Sequence, residues 1–288
     1  MILTNISNRR NGRSLDDEEL YSFAPSLFSA NPYRDVSSSY KIVQTIDVIN
    51  GLRDEGFLPV QAAQSRARDA ERREFTKHLV RFRHIDALAS QESEVGEIVL
   101  TNAHDGTSAF NLFLGIYRLI CTNGLMVGQT FGSYHIRHQG ARVIDDVNNA
   151  AHQVSDQLPR VMDSINEMKA LPMSETMQLA LAVYARDLRW KPDEDVIDGE
   201  IVEQTTAPIE PQQLLIPRRA IDANDNSVWT TYQRIQESLM KGGLRGTGAN
   251  QRRMTTRAVN SVDAEVKLNR SLWDATEQLA NYIRQQAA

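Results

Sequence analysis

The stretch His78-Leu-Val-Arg-Phe-Arg-His84 puts Val80 and Phe82 on one side of an extended chain and Arg81 and Arg83 on the other, because successive strand side chains point to opposite faces. It predicts a strand with a core face and a basic face. Two further stretches, Phe57-Leu-Pro-Val-Gln-Ala-Ala-Gln-Ser65 before it and Glu97-Ile-Val-Leu-Thr-Asn102 after it, alternate in the same way and read as strands. Asn102-Ala-His-Asp-Gly-Thr-Ser108 supplies residues that tolerate positive φ and turns the chain into the apolar run 109–121. Periodicity alone leaves strand and helix open for that run. It is read as a long strand bent at Gly115, with Asn123-Gly124 as the next turn and 134–138 as a closing strand.

Helices flank this region. Ser14 with Asp17 and Glu18 behind it has the form of an N-cap and an acidic first turn, which complements the helix dipole. Residues 43–55 space Ile46, Ile49 and Leu52 for an amphipathic helix stopped at Gly56. Beyond Gly140 the period changes: Val143, Val147, Ala150, Ala151, Val154, Leu158, Val161, Ile165 and Met168 form one apolar stripe. This predicts a long helix, which Pro159 kinks or divides. A helix over 173–188 capped by Ser174, another over 228–239 and a last one over 261–285 complete the count. The fold class is α+β: a curved antiparallel sheet with a long helix packed on it, plus a C-terminal helical region. The expected division is a core domain at 1–190, an acidic linker at 191–213 and a helical region at 214–288.

Length and composition bound the function. The chain has 288 residues, 41% hydrophobic and 24% charged, which suits a folded core without covalent staples. Cys121 is its one cysteine, so neither an internal disulfide nor a Cys-rich zinc site can form, and a reducing, cytoplasmic setting is expected. No stretch approaches the ~20 apolar residues of a membrane span, and residues 1–13 carry bases with no apolar run behind them. No membrane association is expected.

The net charge of −5 argues against a nucleic-acid partner only as an average. Residues 191–213 hold Asp193, Glu194, Asp195, Asp198, Glu200, Glu203 and Glu210 against Lys191 and account for much of it. Elsewhere two basic clusters stand out. One comprises Arg66, Arg68, Arg72, Arg73, Lys77, Arg81 and Arg83; the other comprises Lys241, Arg245, Arg252, Arg253 and Arg257, with no acid among them and with Gly242, Gly243, Gly246 and Gly248 interleaved. Guanidinium groups and glycine amides converging on one polyanion suit phosphate. The competing explanation is a solvated surface that serves solubility alone. Phe75, Phe82, Trp229 and Tyr232 lie near the clusters, where stacking on bases and packing in a core are both open to them.

Other chemistry is thinly represented. The glycines of 241–257 do not follow the order of a phosphate-binding P-loop, so nucleotide hydrolysis is not indicated. His104-Asp105 is the most enzyme-like pair, yet its surroundings are those of a tight turn. His135 and His138 are three apart on a strand and point to opposite faces. Cys121 sits in an apolar run, where a thiol is a small hydrophobe. No catalytic residue, metal or cofactor is assigned.

Several of these segments carry a resemblance. Arg68-Asp-x-x-Arg-Arg-Glu-Phe-Thr-Lys-His-Leu, Leu100-Thr-Asn-Ala-His-Asp-Gly-Thr-Ser, Cys121-Thr-Asn-Gly-Leu, Trp229-Thr-Thr-Tyr-Gln-Arg-Ile-Gln-Glu-Ser-Leu-Met-Lys-Gly-Gly-Leu, Thr256-Arg-Ala and Asn269-Arg-Ser-Leu-Trp resemble the YfjQ/YafZ family of bacterial cryptic-prophage and plasmid proteins. The resemblance runs through nearly the whole chain and is weakest at 192–211. It implies a cytoplasmic protein of a mobile element and brings no established activity. With the basic clusters, it leads to the expectation of a non-catalytic protein that binds nucleic acid, single-stranded DNA in particular, in recombination, annealing or protection. A sheet followed by a long helix is analogous to ring-forming annealing proteins, and a homo-oligomer would align several sites along one strand. The alternatives are an anti-defence protein that binds a host factor and a metal-dependent nuclease centred on His104 and Asp105.

Overall fold

The alternating stretches pair as one open antiparallel sheet: β1 (Phe57–Gln64), β2 (His78–His84), β3 (Glu94–Asn102), β4 (Phe110–Arg118) and β5 (Asn123–Met126) lie in that order, with β6 (Ser133–Ile136) also on β4. The computed structural model describes residues 13–33, 42–67, 69–90, 92–106, 108–119, 123–128, 131, 133–137, 142–197, 200–204, 207–248 and 251–287. It divides into two compact units, Met1–Val161 with Asn260–Val266, and Met162–Val259 with Lys267–Ala288. The boundary at Val161 differs from the expected division at residues 190 and 213.

In the first unit, α1 (Asp17–Phe23) is capped by Asp16 and not by Ser14. The Asp16 carboxylate accepts from the Glu19 amide at 2.8 Å and the Glu19 carboxylate accepts from the Asp16 amide at 3.2 Å. Two donors at the helix start are satisfied reciprocally, which outcompetes a serine two residues upstream. Helix α2 (Thr45–Asp54) stops at Gly56, whose φ of +83° suits glycine.

Each face of the sheet has a cover. Val80, Phe82, Ile98, Leu100, Leu112 and Leu114 are buried on the face shared by Gly96, where an added Cβ would meet Leu158. Helix α2 packs on β1, and α3 (Val143–Ser155) packs on β3, β4 and β6 with Val143, Val147, Ala150, Ala151 and Val154 buried. On the opposite face Leu79, Val99, Phe113 and Met126 form a cluster with Val262 and Val266, the first turns of α7 (Val262–Ala287).

Of three local readings two hold and one changes. The 143–168 stripe is divided just before Pro159, as expected, into α3 and a separate α4 (Leu158–Ala170); Pro159 is the second residue of α4, where its missing N–H leaves no bond unmade. Asn123-Gly124 is not a turn but the start of β5, opposite Arg118 and Tyr117. The run from 109 is a strand, as expected, and Gly115 lies within β4 opposite Glu97. Cys121 and His138 lie outside the described residues.

The second unit contains the rest of α4, α5 (Glu175–Arg189), α6 (Val228–Lys241) and the body of α7. Ser174 caps α5 and Ser227 caps α6, each hydroxyl accepting an amide three residues on. The expected acidic linker holds a hairpin, β7 (Asp193–Ile197) against β8 (Glu200–Gln204). Val196 pairs with Ile201, and such β-branched residues give an acidic stretch strand-forming positions. Strands β9 (Arg245–Thr247) and β10 (Arg253–Thr255) form a second two-stranded ribbon.

Helix α6 is buried from Val228 to Leu239 although half of it is polar. Burial of such groups requires partners. Arg234 donates to the carbonyls of Asp222 and Asp225, Gln236 donates to Asn269 at 2.7 Å, and Thr230 donates to Asp225 at 2.5 Å. Trp229, Tyr232 and Trp273 pack with ring centroids 5.6 to 6.3 Å apart.

Candidate nucleic-acid interface

The first basic cluster separates into two sets. Arg66 follows β1, and Arg72 and Arg73 stand on the short turn Ala70–Phe75; all three are exposed. Arg72 lies over the Tyr33 ring at 4.9 Å. Lys77 is paired with Asp263 at 2.6 Å. Arg68 lies outside the described residues.

Arg81 and Arg83 are the correction. They share a face of β2, as the alternation requires, but that face is interior: the Arg81 side chain is 0% exposed and the Arg83 side chain 4%. Glu97, on the neighbouring strand, lies 3.3 Å from Arg81 and 2.9 Å from Arg83. Arg81 also donates to the carbonyls of Leu125 and Gly124 at 3.2 Å each and contacts Glu265 at 3.3 Å. The Arg83 guanidinium sits 4.0 Å above the Tyr117 ring, a cation–π contact. Gly115 makes room for the set, since a Cβ there would come within 3.1 Å of Arg81 and 2.8 Å of Val99. Two guanidinium groups and two carboxylates thus neutralise one another beneath the first turn of α7. The signal that could have revealed this was Glu97 itself, an acid at an inward position between Val95 and Val99.

The second cluster presents its arginines. In the β9–β10 ribbon Arg253 pairs with Thr247, Met254 with Gly246 and Thr255 with Arg245. Arg245, Thr247, Arg253 and Thr255 therefore share one face, and all four are exposed. Gly246 is on the other face, where a Cβ would fall 1.7 Å from the Pro208 carbonyl oxygen; only glycine permits that approach. Arg252 and Arg257 are also exposed, and with Arg245 and Arg253 they make no ion pair among the described residues. Lys241 differs, because its ammonium lies 2.7 Å from Glu237, which also binds Arg219 at 2.7 Å. Burial raises the Glu237 pKa, but the bonds from Arg219 and Lys241 outweigh it and hold the carboxyl below its ordinary value.

The glycines shape the ribbon and do not form an amide cradle. Gly242 donates to Ser238, Gly243 to Thr256 and Gly248 to Arg252. Gly242 and Gly243 have φ of +62° and +82°, the region that favours glycine. Arg218, which lies outside both clusters in the sequence, is exposed and donates to Ser238 at 3.1 Å and to the Gly242 carbonyl.

Phe82, Trp229 and Tyr232 are buried, and Phe75 packs on Tyr33 at 5.3 Å; the first three serve cores. His104 is buried too. Its Nε2 lies 3.1 Å from the Thr45 hydroxyl, which lies 2.9 Å from His78 and accepts from Asn102 at 3.1 Å. A hydroxyl has one proton and two lone pairs, so one imidazole donates to Thr45 and the other accepts from it. His78 Nδ1 lies 2.9 Å from the Ser26 hydroxyl. His135 lies 2.7 Å from Asn111. Among the described residues no three His, Cys, Asp or Glu side chains are grouped to hold a metal ion.

An open α+β sheet unit and a mostly helical unit with a basic ribbon are thus the architecture behind the family assignment. The chain belongs to the family described as a domain of unknown function, DUF932, whose model matches residues 32–273. It is 39% identical over 275 residues to the UPF0380 protein YfjQ of Escherichia coli strain K12, covering 96% of this chain and 95% of that one. The UPF0380 protein YafZ of the same strain matches with the same identity and coverage. No solved structure matches significantly. No helix among the described residues is long and apolar enough to cross a membrane.

Proposed function

We propose that this protein is a cytoplasmic, non-enzymatic nucleic-acid-binding protein that engages the sugar-phosphate backbone by charge, with copies of the chain assembling along the polymer. The observation that carries this is the ribbon: Arg245, Arg252, Arg253 and Arg257 are exposed within a segment that contains no acid. Exposed guanidinium groups release condensed counterions when they meet phosphate, so binding is steeply salt-dependent. Arg66, Arg72 and Arg73 of the first unit form a second set of the same kind. Arg81 and Arg83 leave the interface, and Lys77 and Lys241 enter it only by exchanging a carboxylate for a phosphate. The case for single strands is weakened, because three of the four aromatic candidates for base stacking are in cores.

Fluorescence anisotropy with labelled oligonucleotides over a salt series tests this. Arg252→Ala with Arg257→Ala is expected to weaken binding and to lower the log–log salt slope by about two, one for each phosphate that is no longer neutralised. Binding that ignores salt, or no binding to any nucleic acid at low salt, overturns the proposal. A second reading, a regulator that binds a host protein, is supported by the acidic β7–β8 hairpin, whose Asp193, Glu194, Asp195, Glu200 and Glu203 could imitate a phosphate polymer.

A further inference from the structure

We infer that the β9–β10 ribbon is built for duplex DNA, with its Arg245/Thr247/Arg253/Thr255 face entering the major groove. This rests on the nucleic-acid reading and specifies the substrate of that same site. Paired strands lie about 4.8 Å apart, and a two-stranded ribbon fits a major groove about 12 Å wide.

The chemistry of the face matches base edges. Arg245 stands opposite Thr255 and Arg253 opposite Thr247, so the arginines lie on one diagonal of a four-residue array and the threonines on the other. Diagonal partners in such a pair are about 7–8 Å apart, so each guanidinium can reach a different base pair or phosphate. Arginine binds the O6 and N7 edge of guanine with two parallel bonds, and threonine offers a hydroxyl to bases and a methyl group to thymine. Arg252 near the tip and Arg257 with Arg218 near the base are exposed, as contacts to the phosphates bordering a groove would require.

The ribbon is also held from behind. The Thr247 amide donates to the Pro208 carbonyl at 2.8 Å, Gln213 donates to the Arg245 carbonyl at 2.8 Å, and the Leu244 amide donates to the Thr256 hydroxyl at 3.0 Å. Gly246 allows the close approach to Pro208 that sets the inner face. A surface fixed in this way suits a groove of regular shape. Single strands, in contrast, are bound by aromatic platforms on which successive bases stack, and residues 241–257 contain no aromatic side chain.

The test uses the full chain and three labelled probes: a single strand, its duplex, and the same duplex with glucosylated hydroxymethylcytosines that fill the major groove. Duplex charge density alone favours the duplex, so the third probe decides. Glucosylation is expected to weaken binding by about tenfold or more. Thr247→Ala with Thr255→Ala should shrink that difference and leave the salt slope unchanged, with unaltered thermal unfolding as the control for folding. If the glucosylated duplex binds as tightly as the plain one, or the single strand binds as tightly as the duplex, the groove assignment falls while the nucleic-acid reading stands. If no probe binds, both fall.

Discussion

Arg81 and Arg83 on β2 and Arg245 and Arg253 on the ribbon are two arginine pairs that each share one face of an antiparallel sheet, with opposite fates. The β2 pair faces Glu97 and Glu265 on the sheet face that Val262 and Val266 help cover, and both side chains are buried. The ribbon pair faces threonines and solvent, while the reverse face of its own two strands, at Gly246, rests on Pro208. Identical side chains with the same periodicity are structural in one unit and available in the other. What separates them is the cover on the face and the acid beneath it.

This contrast is tested most severely at Glu97. Glu97→Gln keeps the shape but strips the countercharge from between two buried guanidinium groups, an arrangement that costs about 3–5 kcal/mol when one partner is removed. The urea unfolding midpoint should drop accordingly, and an unchanged midpoint would mean that Arg81 and Arg83 reach water after all. Next in size is Gly246→Ala. Its methyl group would overlap the Pro208 carbonyl, and relieving the clash costs about 1–3 kcal/mol; trypsin should then cut faster after Arg252 and Arg253.

Glu237→Gln replaces the carboxylate that binds Arg219 and Lys241 with a neutral amide, an effect on the order of 1 kcal/mol at neutral pH. Because the folded carboxyl is held below its ordinary value of 4.5, its contribution is present above that pH and is lost as pH falls through the lower folded value. Melting curves of the wild type and Glu237→Gln should therefore converge in acid; curves that stayed parallel would show that Glu237 is not the charged partner described. The least change in stability belongs to the ribbon arginines. Arg245→Ala with Arg253→Ala should shift unfolding by no more than about 0.5 kcal/mol while lowering nucleic-acid affinity. A large loss of stability would place them with the β2 pair.

Much of the fold was legible residue by residue. The alternation of 57–65, 78–84 and 97–102 predicted strands that pair in an antiparallel sheet, and Ser174 before an acidic first turn predicted a helix start. The errors were also local in origin. Ser14 and Asp16 both suit an N-cap, and only the reciprocal bond with Glu19 selects Asp16. The acidic run at 193–204 looks like a linker by charge, yet its backbone pairs as two strands with Val196 opposite Ile201.

The exposure of the two basic clusters was half legible. An acid-free stretch from Lys241 to Arg257 could be read directly, and its arginines are exposed. The cluster around β2 could not be read in that way, because its neutralising groups include Asp263 and Glu265, far along the chain and brought back by α7. Local pattern sufficed to say which side chains share a face, since a strand's two-residue period is a property of the backbone at that point in the chain. Which of those faces meets solvent was a tertiary matter, because burial and charge neutralisation depend on what packs above a face, and that cover comes from elsewhere in the chain.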